Sequence, residues 1–265
     1  MRTLQQWIEA APAWIRRPAR KVYYRRRIKA FTEMSWDSAR WIKPLIHAGD
    51  RVADVGANIG YVTLLFSSWV GPEGRVFSFE PVADTFETLR DTVHTRRCAN
   101  VEVFDVAASD HAGSAGMAVP EYVSGGRNYY ESFIVEGRVD EVSSGVQVKT
   151  ATLDSILLDR APSIQFLKVD VEGHEWKALQ GAMGIIRRDH PALFVEIMSD
   201  PGTAGTDAAR LFEWLQGEGY QIYASTDQGF VPWPEIKQSV DWLFWPTARG
   251  SLPGLIIRDQ KQSGS

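Results

Sequence analysis

A pair of glycines follows the first strongly apolar run of the chain. Residues 51–66 read RVADVGANIGYVTLLF, so Gly56 and Gly60 stand between a strand-like run and a helix-like run, and Asp54 lies two residues before Gly56. Glycine turns of this kind often bind phosphate through free backbone N–H groups, and dinucleotide turns read G-x-G-x-x-G. An aspartate directed into the pocket would repel pyrophosphate. The turn therefore favours a cationic ligand without phosphate, and S-adenosylmethionine, with its ammonium and sulfonium, is such a ligand.

Glu80 closes the next predicted strand, RVFSFEP, and supports the same ligand. It lies 26 residues after Asp54, which fits one strand–helix–strand unit. An acidic residue at this position commonly accepts hydrogen bonds from the two hydroxyls of an adenosine ribose. We therefore expect Glu80 to bind the ribose. Asp54 and Gly56 should contact the methionine moiety, and Gly60 should let the following helix approach the turn.

Three further residues are candidates for contact with the cofactor. Asn58 either touches the ligand or only adopts an unusual backbone angle in the turn. Asp105 and Ala107 follow the third predicted strand, VEVFDVAA, and are expected beside adenine. Asp105 could accept a hydrogen bond from the exocyclic amine of adenine, and the alternative for this residue is a solvated strand end.

The fourth predicted strand, IQFLKVDVEG, leads into acidic residues and a histidine. Asp170 has three open roles: it binds the ammonium or fixes the acceptor, it acts as a general base, or it ligates a divalent metal. A neutral imidazole, whose usual pKa is about 6.5, suits removal of a proton from a hydroxyl. His174 is therefore the preferred base, with Asp170 or Glu172 as its partner or as the alternative base. The other interpretation is that His174 only caps the following helix. Hard oxygen ligands could hold a metal here, but no spacing is diagnostic and no metal is assigned.

The acceptor is expected between a loop and the fifth predicted strand. Residues 121–132, EYVSGGRNYYES, contain two glycines, and Asn128, Tyr129 and Tyr130 could cover the acceptor from this loop. Glu196, at the end of the strand LFVEI, is also assigned to the acceptor. The alternative for the loop is an ordinary solvated insertion.

The elements that position these residues alternate between strand and helix five times. The predicted strands are too uniformly apolar to have a solvated face, which indicates a parallel sheet covered on both sides. Right-handed crossovers place the carboxyl ends of such strands on one edge, where ligands bind. The prediction is an α/β fold with a doubly wound, mostly parallel, seven-stranded sheet whose strands near the C-terminus are antiparallel. Residues 35–258 should form one domain with an inserted loop at about 113–150, after a basic arm (1–34) and before a tail (259–265).

Charge is distributed unevenly along the chain. The net charge is −4, but residues 1–32 contain nine Lys or Arg and one Glu, so they carry +8 and the rest carries −12. An acidic body argues against nucleic-acid binding. The arm, in which tryptophan and tyrosine are interleaved, could contact an anionic membrane surface. Packing on the body is favoured instead, because Pro12 and Pro18 should break a long amphipathic helix.

Nothing in the composition indicates export or membrane insertion. No apolar run is long enough to span a bilayer, and the first residues lack the pattern of a signal peptide. Cys98 is the only cysteine, so no internal disulfide can form. These features are typical of a cytoplasmic protein.

Several motifs in this order resemble the FkbM family of S-adenosylmethionine-dependent methyltransferases. They are DVGANIG, FSFEP, VFDVAASD, TLDSILLD, FLKVDVEGHEWKALQGA and FVEI. The resemblance covers about residues 45–200 and is most distinctive in KVDVEGHE. It implies a Rossmann-like class I methyltransferase fold, S-adenosylmethionine as cofactor, and O-methylation of a hydroxyl on a sugar, glycoconjugate or other small-molecule natural product.

Two other functions stay open at the level of the sequence. An NAD-dependent oxidoreductase of similar topology predicts a third glycine in the turn and basic residues near the phosphates, and the sequence shows neither. A non-catalytic scaffold, docked through its basic arm, would bind the cofactor without turning it over.

Overall fold

Strand and helix alternate along most of the chain. A computed structural model describes residues 3–9, 11–120, 133–135, 145–236 and 239–253. The strands are β1 (Arg51–Val55), β2 (Arg75–Phe79), β3 (Val101–Phe104), β4 (Ala107–Ala108), β5 (Gly113–Ala118), β6 (Phe133–Val135), β7 (Gly145–Ala151), β8 (Phe166–Val169), β9 (Ala192–Glu196), β10 (Tyr220–Thr226), β11 (Gly229–Pro232) and β12 (Asp241–Pro246). The α-helices are α1 (Leu4–Glu9), α2 (Ala13–Ala30), α3 (Ala39–Ile42), α4 (Tyr61–Val70), α5 (Ala83–Thr95), α6 (Leu153–Leu157), α7 (Glu175–Gln180), α8 (Met183–Asp189) and α9 (Asp207–Gly217).

Within the described residues, eight strands form the main sheet in the order β11-β10-β12-β9-β8-β1-β2-β3. The strands from β9 to β3 pair in parallel, whereas β12 is antiparallel to both β9 and β10. The order reverses between β1 and β8, and such switch points are where open α/β sheets bind ligands. The doubly wound α/β prediction is confirmed. The sheet has eight strands instead of seven because a hairpin adds β11 at the edge.

Two hydrophobic cores cover the two faces of this sheet. Side chains alternate between the faces of a strand. Ala53 and Val55 of β1 accordingly lie in the core that includes residues of α6 to α9, whereas Val52 lies in the core that includes residues of α3 and α4. The helical layers leave the carboxyl ends of the parallel strands together at one edge.

A second, smaller sheet combines β4 with strands from the region expected as an inserted loop. Its strands follow the order β4-β7-β5-β6. Met117 of β5 and Ile134 of β6 line the cavity at the edge of the main sheet. The predicted acceptor residues Asn128, Tyr129 and Tyr130 lie outside the described residues.

The basic arm contains helix α2, which continues through Pro18. The prediction that Pro18 breaks a long helix is wrong, whereas Pro12 lies between α1 and α2, where the helical segment of the arm is interrupted. Pro12 precedes the first helical residue, and Pro18 removes a single N–H donor from a helix that packing on α5 supports. The guanidinium of Arg25 donates two hydrogen bonds of 2.8 Å to the carboxylate of Asp91 on α5.

Helix α2 also contacts the glycine turn after β1. Tyr24 and Ile28 form a buried cluster with Ile59, which belongs to that turn. Phe31 follows α2 and stacks on Tyr61, the first residue of α4, with ring centroids 4.5 Å apart. The arm therefore rests on the same turn that the sequence analysis singled out.

Gly56 brings this turn against the end of β8. Its φ is +78°, and a Cβ at this position would lie 1.7 Å from the carbonyl oxygen of Asp170. The N–H groups of Gly56 and Ala57 both donate to the carbonyl of Phe79, at 3.1 and 2.9 Å. These two amides are used within the fold, so they are not available to a phosphate.

We expect Gly56→Ala to destabilise the protein by about 1–3 kcal/mol more than Gly49→Ala. Both glycines have positive φ, +78° and +89°, so alanine strains both backbones to a similar extent. A Cβ at Gly49 has no neighbour within 4 Å, whereas one at Gly56 meets Asp170. Urea unfolding of the two variants measures the difference. Equal losses would show that the contact with Asp170 relaxes at no cost.

Candidate active site

An acidic cavity of about 480 Å³ lies at the carboxyl edge of the main sheet, beside the β1–β8 switch point. This volume is typical of sites for small molecules. Lys168 is the one basic residue among the described residues that line the cavity. The acidic lining residues are Asp37, Asp54, Glu80, Asp170, Glu172, Glu196 and Asp241. The prediction of an edge rich in carboxylates therefore describes this cavity well.

Glu80 is buried at the end of β2 and holds the glycine turn. Its Oε2 accepts a 3.0 Å hydrogen bond from the N–H of Asn58, and its Oε1 accepts a 2.9 Å hydrogen bond from the N–H of Val82. Burial raises the pKa of Glu80 to about 7, although both amides act in the opposite direction. A carboxylate oxygen has two acceptor positions, so Glu80 can still accept from hydroxyls of a ligand in the cavity.

Asn58 and Gly60 shape the rest of the glycine turn. Asn58 lines the cavity, has a φ of +49°, and accepts a 2.8 Å hydrogen bond from the N–H of Ile59 through its Oδ1. Both of its expected roles are therefore compatible with this geometry. Gly60 has a φ of +95°, and a Cβ there would lie 2.8 Å from Leu89 on α5. The absence of a side chain at Gly60 lets α5 approach the turn.

Lys168 lies buried in β8 between two carboxylates. Its Nζ is 3.1 Å from Oδ2 of Asp170 and 3.6 Å from Oδ1 of Asp54. Burial lowers the pKa of Lys168, but Asp170 and Asp54 raise it by more, so the ammonium keeps its proton. The hydroxyl of Thr63 donates a 2.6 Å hydrogen bond to Asp54. Asp54 is fully buried, but it lines the cavity and its Oδ1 accepts no hydrogen bond within the described part of the chain, so its contact with the methionine moiety stays a prediction.

Glu196 ends β9 opposite Asp241 on β12. Burial, followed by repulsion from Asp170, Asp241 and Glu172, raises the pKa of Glu196 to about 7. The hydroxyl of Ser38 donates a 3.2 Å hydrogen bond to Asp241. A carboxyl group with a pKa near neutrality can accept a proton at physiological pH, and Glu196 is such a group inside the cavity.

The turn after β8 separates the residues of the KVDVEGHE motif into two sets. Glu172 and Gly173 have positive φ values of +51° and +93°. The N–H of Gly173 donates a 2.8 Å hydrogen bond to Glu175, which fixes the turn. Asp170 and Glu172 line the cavity, whereas His174 and Glu175 are not among its lining residues.

His174 lies at the N-terminus of α7 and is not among the described residues that line the cavity. Its Nε2 is 3.1 Å from the hydroxyl oxygen of Ser109, which follows β4. The role of general base for this imidazole therefore stays a prediction. His174 occupies the N-cap position of α7, but its side chain makes no cap hydrogen bond. The imidazole instead connects α7 to the end of β4.

Asp105 also lies away from the cavity, and Ala107 lines it. The carboxylate of Asp105 is exposed and accepts a 2.9 Å hydrogen bond from Lys149. The exposure of Asp105 agrees with the alternative of a solvated strand end, and its contact with adenine stays a prediction. Val106 lines the cavity beside Ala107, while the carboxylate of Asp105 is exposed.

The cavity includes residues that the sequence analysis did not identify. A charge inside an apolar strand was the available signal for Lys168, because a buried lysine requires an acidic partner. No local pattern reveals several others, since the tertiary path of the chain brings them to the cavity. They include Phe31, Ser35, Trp36, Asp37 and Ser38, from the end of the arm and the segment after it, Tyr61 of α4 and Asp241 of β12.

Two kinds of feature are missing from the described part of the chain. None of its His, Cys, Asp and Glu side chains form a group of three that could hold a metal ion. None of its helices is long and apolar enough to cross a membrane.

The strand order, with β12 antiparallel between β9 and β10, and the cavity at the switch point define a Rossmann-like methyltransferase fold. A sequence model of the methyltransferase FkbM domain matches residues 54–222. The chain therefore belongs to the FkbM methyltransferase family, and the resemblance noted from its motifs is confirmed.

Individual relatives agree with this assignment. The chain is 26% identical over 212 residues to the 31-O-demethyl-FK506 methyltransferase FkbM of Streptomyces tacrolimicus, across 70% of this chain and 78% of the relative. It is 26% identical over 190 residues to the hexuronic acid methyltransferase AglP of Haloferax volcanii, across 69% of each. The crystal structure of a methyltransferase FkbM from Methylobacillus flagellatus KT aligns with a TM-score of 0.50 at 18% identity, across 74% of this chain and only 43% of that one. That likeness supports the fold alone.

We expect His174→Ala to lower the free energy of unfolding by about 1 kcal/mol and to leave the affinity for S-adenosylhomocysteine unchanged. The reason is that His174 contacts Ser109 and does not line the cavity. Ser109→Ala and the double variant complete a thermodynamic cycle, in which the two losses should be coupled. A tenfold loss of ligand affinity in His174→Ala, at unchanged stability, would show that His174 contributes to ligand binding.

Proposed function

We propose that this protein is an S-adenosylmethionine-dependent O-methyltransferase that acts on a hydroxyl of a sugar, glycoconjugate or other small-molecule natural product. The supporting observation is the acidic cavity with one paired lysine at the switch point. Such a cavity attracts a cationic nucleoside and repels phosphates. S-adenosylmethionine, when bound, supplies a methyl group that its sulfonium already activates. The names of the two relatives, which mention demethyl-FK506 and hexuronic acid, agree with an acceptor of this class.

The lining residues divide between the parts of the cofactor. Glu80, at the end of β2, accepts hydrogen bonds from the ribose hydroxyls. Ala107 and its neighbour Val106 provide the apolar surface against adenine. Gly56 and Asn58 border the methionine moiety, and Asp170, a partly exposed carboxylate of the lining, binds its ammonium.

The same geometry does not fit the binding of NAD, which the alternative function, an oxidoreductase, requires. A dinucleotide needs free amides in the glycine turn and basic residues near its phosphates. The amides of Gly56 and Ala57 donate to Phe79, and Lys168 is held by Asp170 and Asp54. Titration calorimetry with S-adenosylhomocysteine and with NAD tests the proposal directly: we expect micromolar binding of the first and no binding of the second.

We expect the contribution of the ribose hydroxyls to disappear in Glu80→Ala. Wild-type protein should bind S-adenosylhomocysteine at least ~10-fold more tightly than its 2′,3′-dideoxyribose analogue, because hydrogen bonds to a charged group are strong. In Glu80→Ala the two ligands should bind equally. This comparison cancels any loss caused by leaving the amides of Asn58 and Val82 without their acceptor. If the ratio of the two affinities is unchanged in the variant, Glu80 does not bind the ribose hydroxyls.

Glu196 is our candidate for the group that receives the proton of the acceptor. Methyl transfer to a hydroxyl requires alignment of the hydroxyl and loss of its proton during attack. The carboxyl group of Glu196 lies in the cavity with a pKa of about 7. Repulsion from Asp170 helps to hold the pKa of Glu196 up, whereas Lys168, which pairs with Asp170, acts in the opposite direction. In this assignment Glu196 takes over the role first predicted for His174.

We expect the ratio of affinities for S-adenosylmethionine and S-adenosylhomocysteine to rise with pH. Glu196 ionises as the pH passes its pKa of about 7, and only the first ligand carries a sulfonium that the carboxylate attracts. The rise should be roughly three- to tenfold between pH 6 and 8, as expected for one screened charge pair. It should become much smaller in Glu196→Gln, where only Glu80 still ionises near pH 7, and persist in full in Glu213→Gln, an exposed control on α9. A ratio independent of pH in the wild type would place Glu196 away from the reacting atoms.

A further inference from the structure

Large apolar side chains are exposed on the arm to an unusual degree. Six of the nine large hydrophobic side chains that are exposed among the described residues belong to residues 4–34. Trp14 is 77% exposed, Leu4 66%, Trp7 62% and Val22 55%. Exposed apolar residues that cluster in this way mark an interaction site more often than scattered ones do.

Helix α2 has two different faces. Arg20, Tyr24 and Ile28, spaced four residues apart, are buried on the side that faces the body. Residues 15, 22, 26 and 29 fall on the opposite side, since spacings of seven and eleven residues return to one face of a helix. We call this set, Ile15, Val22, Arg26 and Lys29, the outer face. All four side chains are exposed, so the outer face combines aliphatic and cationic groups.

We propose that the arm docks on an anionic lipid bilayer through the outer face of α2 and the neighbouring tryptophan Trp14. A helix that lies in a membrane interface has basic and apolar residues in this combination. Tryptophan is enriched at the level of the lipid headgroups. The helix has 18 residues, about 27 Å along its axis, and it is not of a kind that crosses a membrane.

The charge distribution gives this docking a fixed orientation. Residues 1–32 carry +8 and the rest of the chain carries −12. An anionic surface attracts the arm and repels the acidic body, so the protein should meet the bilayer with the arm first. An acidic protein partner would match the cations, but it would not explain why Trp14 and Val22 are exposed among them. A bilayer satisfies both requirements at once.

Co-sedimentation with vesicles tests the docking without any cofactor or acceptor. We expect the wild type to bind phosphatidylcholine vesicles that contain phosphatidylglycerol, to bind pure phosphatidylcholine weakly, and to lose the difference as salt is raised. The double variant Arg26→Glu/Lys29→Glu should lower the partition into anionic vesicles by at least roughly thirtyfold, since two attractions are lost and two repulsions are added. Trp14→Ser should lower it as well, while leaving the preference for anionic lipid in place.

Arg160→Glu/Arg210→Glu is the matched control. It changes the net charge by the same amount. Arg160 follows α6 and Arg210 lies on α9, and both side chains are exposed. These helices cover the face of the sheet opposite to α4. The control should bind anionic vesicles nearly as the wild type does. No preference of the wild type for anionic vesicles, or equal losses in the two double variants, would overturn the proposal. Thermal unfolding of each variant shows that the fold is intact. Methyl transfer and docking are read out separately, so the failure of one leaves the other standing.

Discussion

The buried ammonium of Lys168 partly neutralises the carboxylates at the carboxyl edge of the sheet. Lys168 lies in β8 between Asp54 of β1 and Asp170. A lysine inside a buried strand is costly unless it is paired, so these contacts fix the ends of β1 and β8 against each other, where Gly56 touches the carbonyl of Asp170. The ammonium offsets only part of the negative charge. Glu80 and Glu196 consequently remain in a negative field that adds to the effect of their burial.

The basic arm supports the glycine turn and contributes to the wall of the cavity. Tyr24 and Ile28 of α2 pack on Ile59, directly behind the glycine turn. The chain then continues through Phe31 to Ser38, where it lines the cavity and donates a hydrogen bond to Asp241. Ion pairs between α2 and α5 hold this course in place. A surface that binds the outer face of α2 would therefore hold the cavity close to itself, because the helix and the cavity wall are consecutive segments.

The sequence revealed the strands and their ends, and it was less informative about side-chain direction. Glu80, Asp170 and Glu196 could be assigned to the cavity because apolar runs define where parallel strands end. His174 could not be excluded from it, since its position depends on positive φ angles at Glu172 and Gly173. Glutamate in that conformation has no local signature. The contributions of Phe31 and Ser38 were equally hidden, because they depend on the tertiary path of the arm.

The electrostatics of the cavity favour turnover under the proposed function. Methyl transfer removes the positive charge of the sulfonium. The donor and its product therefore differ in charge at the sulfur, which the proposal places near the carboxylates of the cavity. Asp170, Glu172 and Glu196 border that region, and a field of fixed negative charge attracts the cationic donor more strongly than the neutral thioether. In the proposed reaction the proton of the acceptor would pass to Glu196, whose pKa of about 7 would let it release the proton to solvent near neutral pH. The carboxylates whose repulsion helps to raise the pKa of Glu196 would therefore also favour binding of the donor over binding of the product.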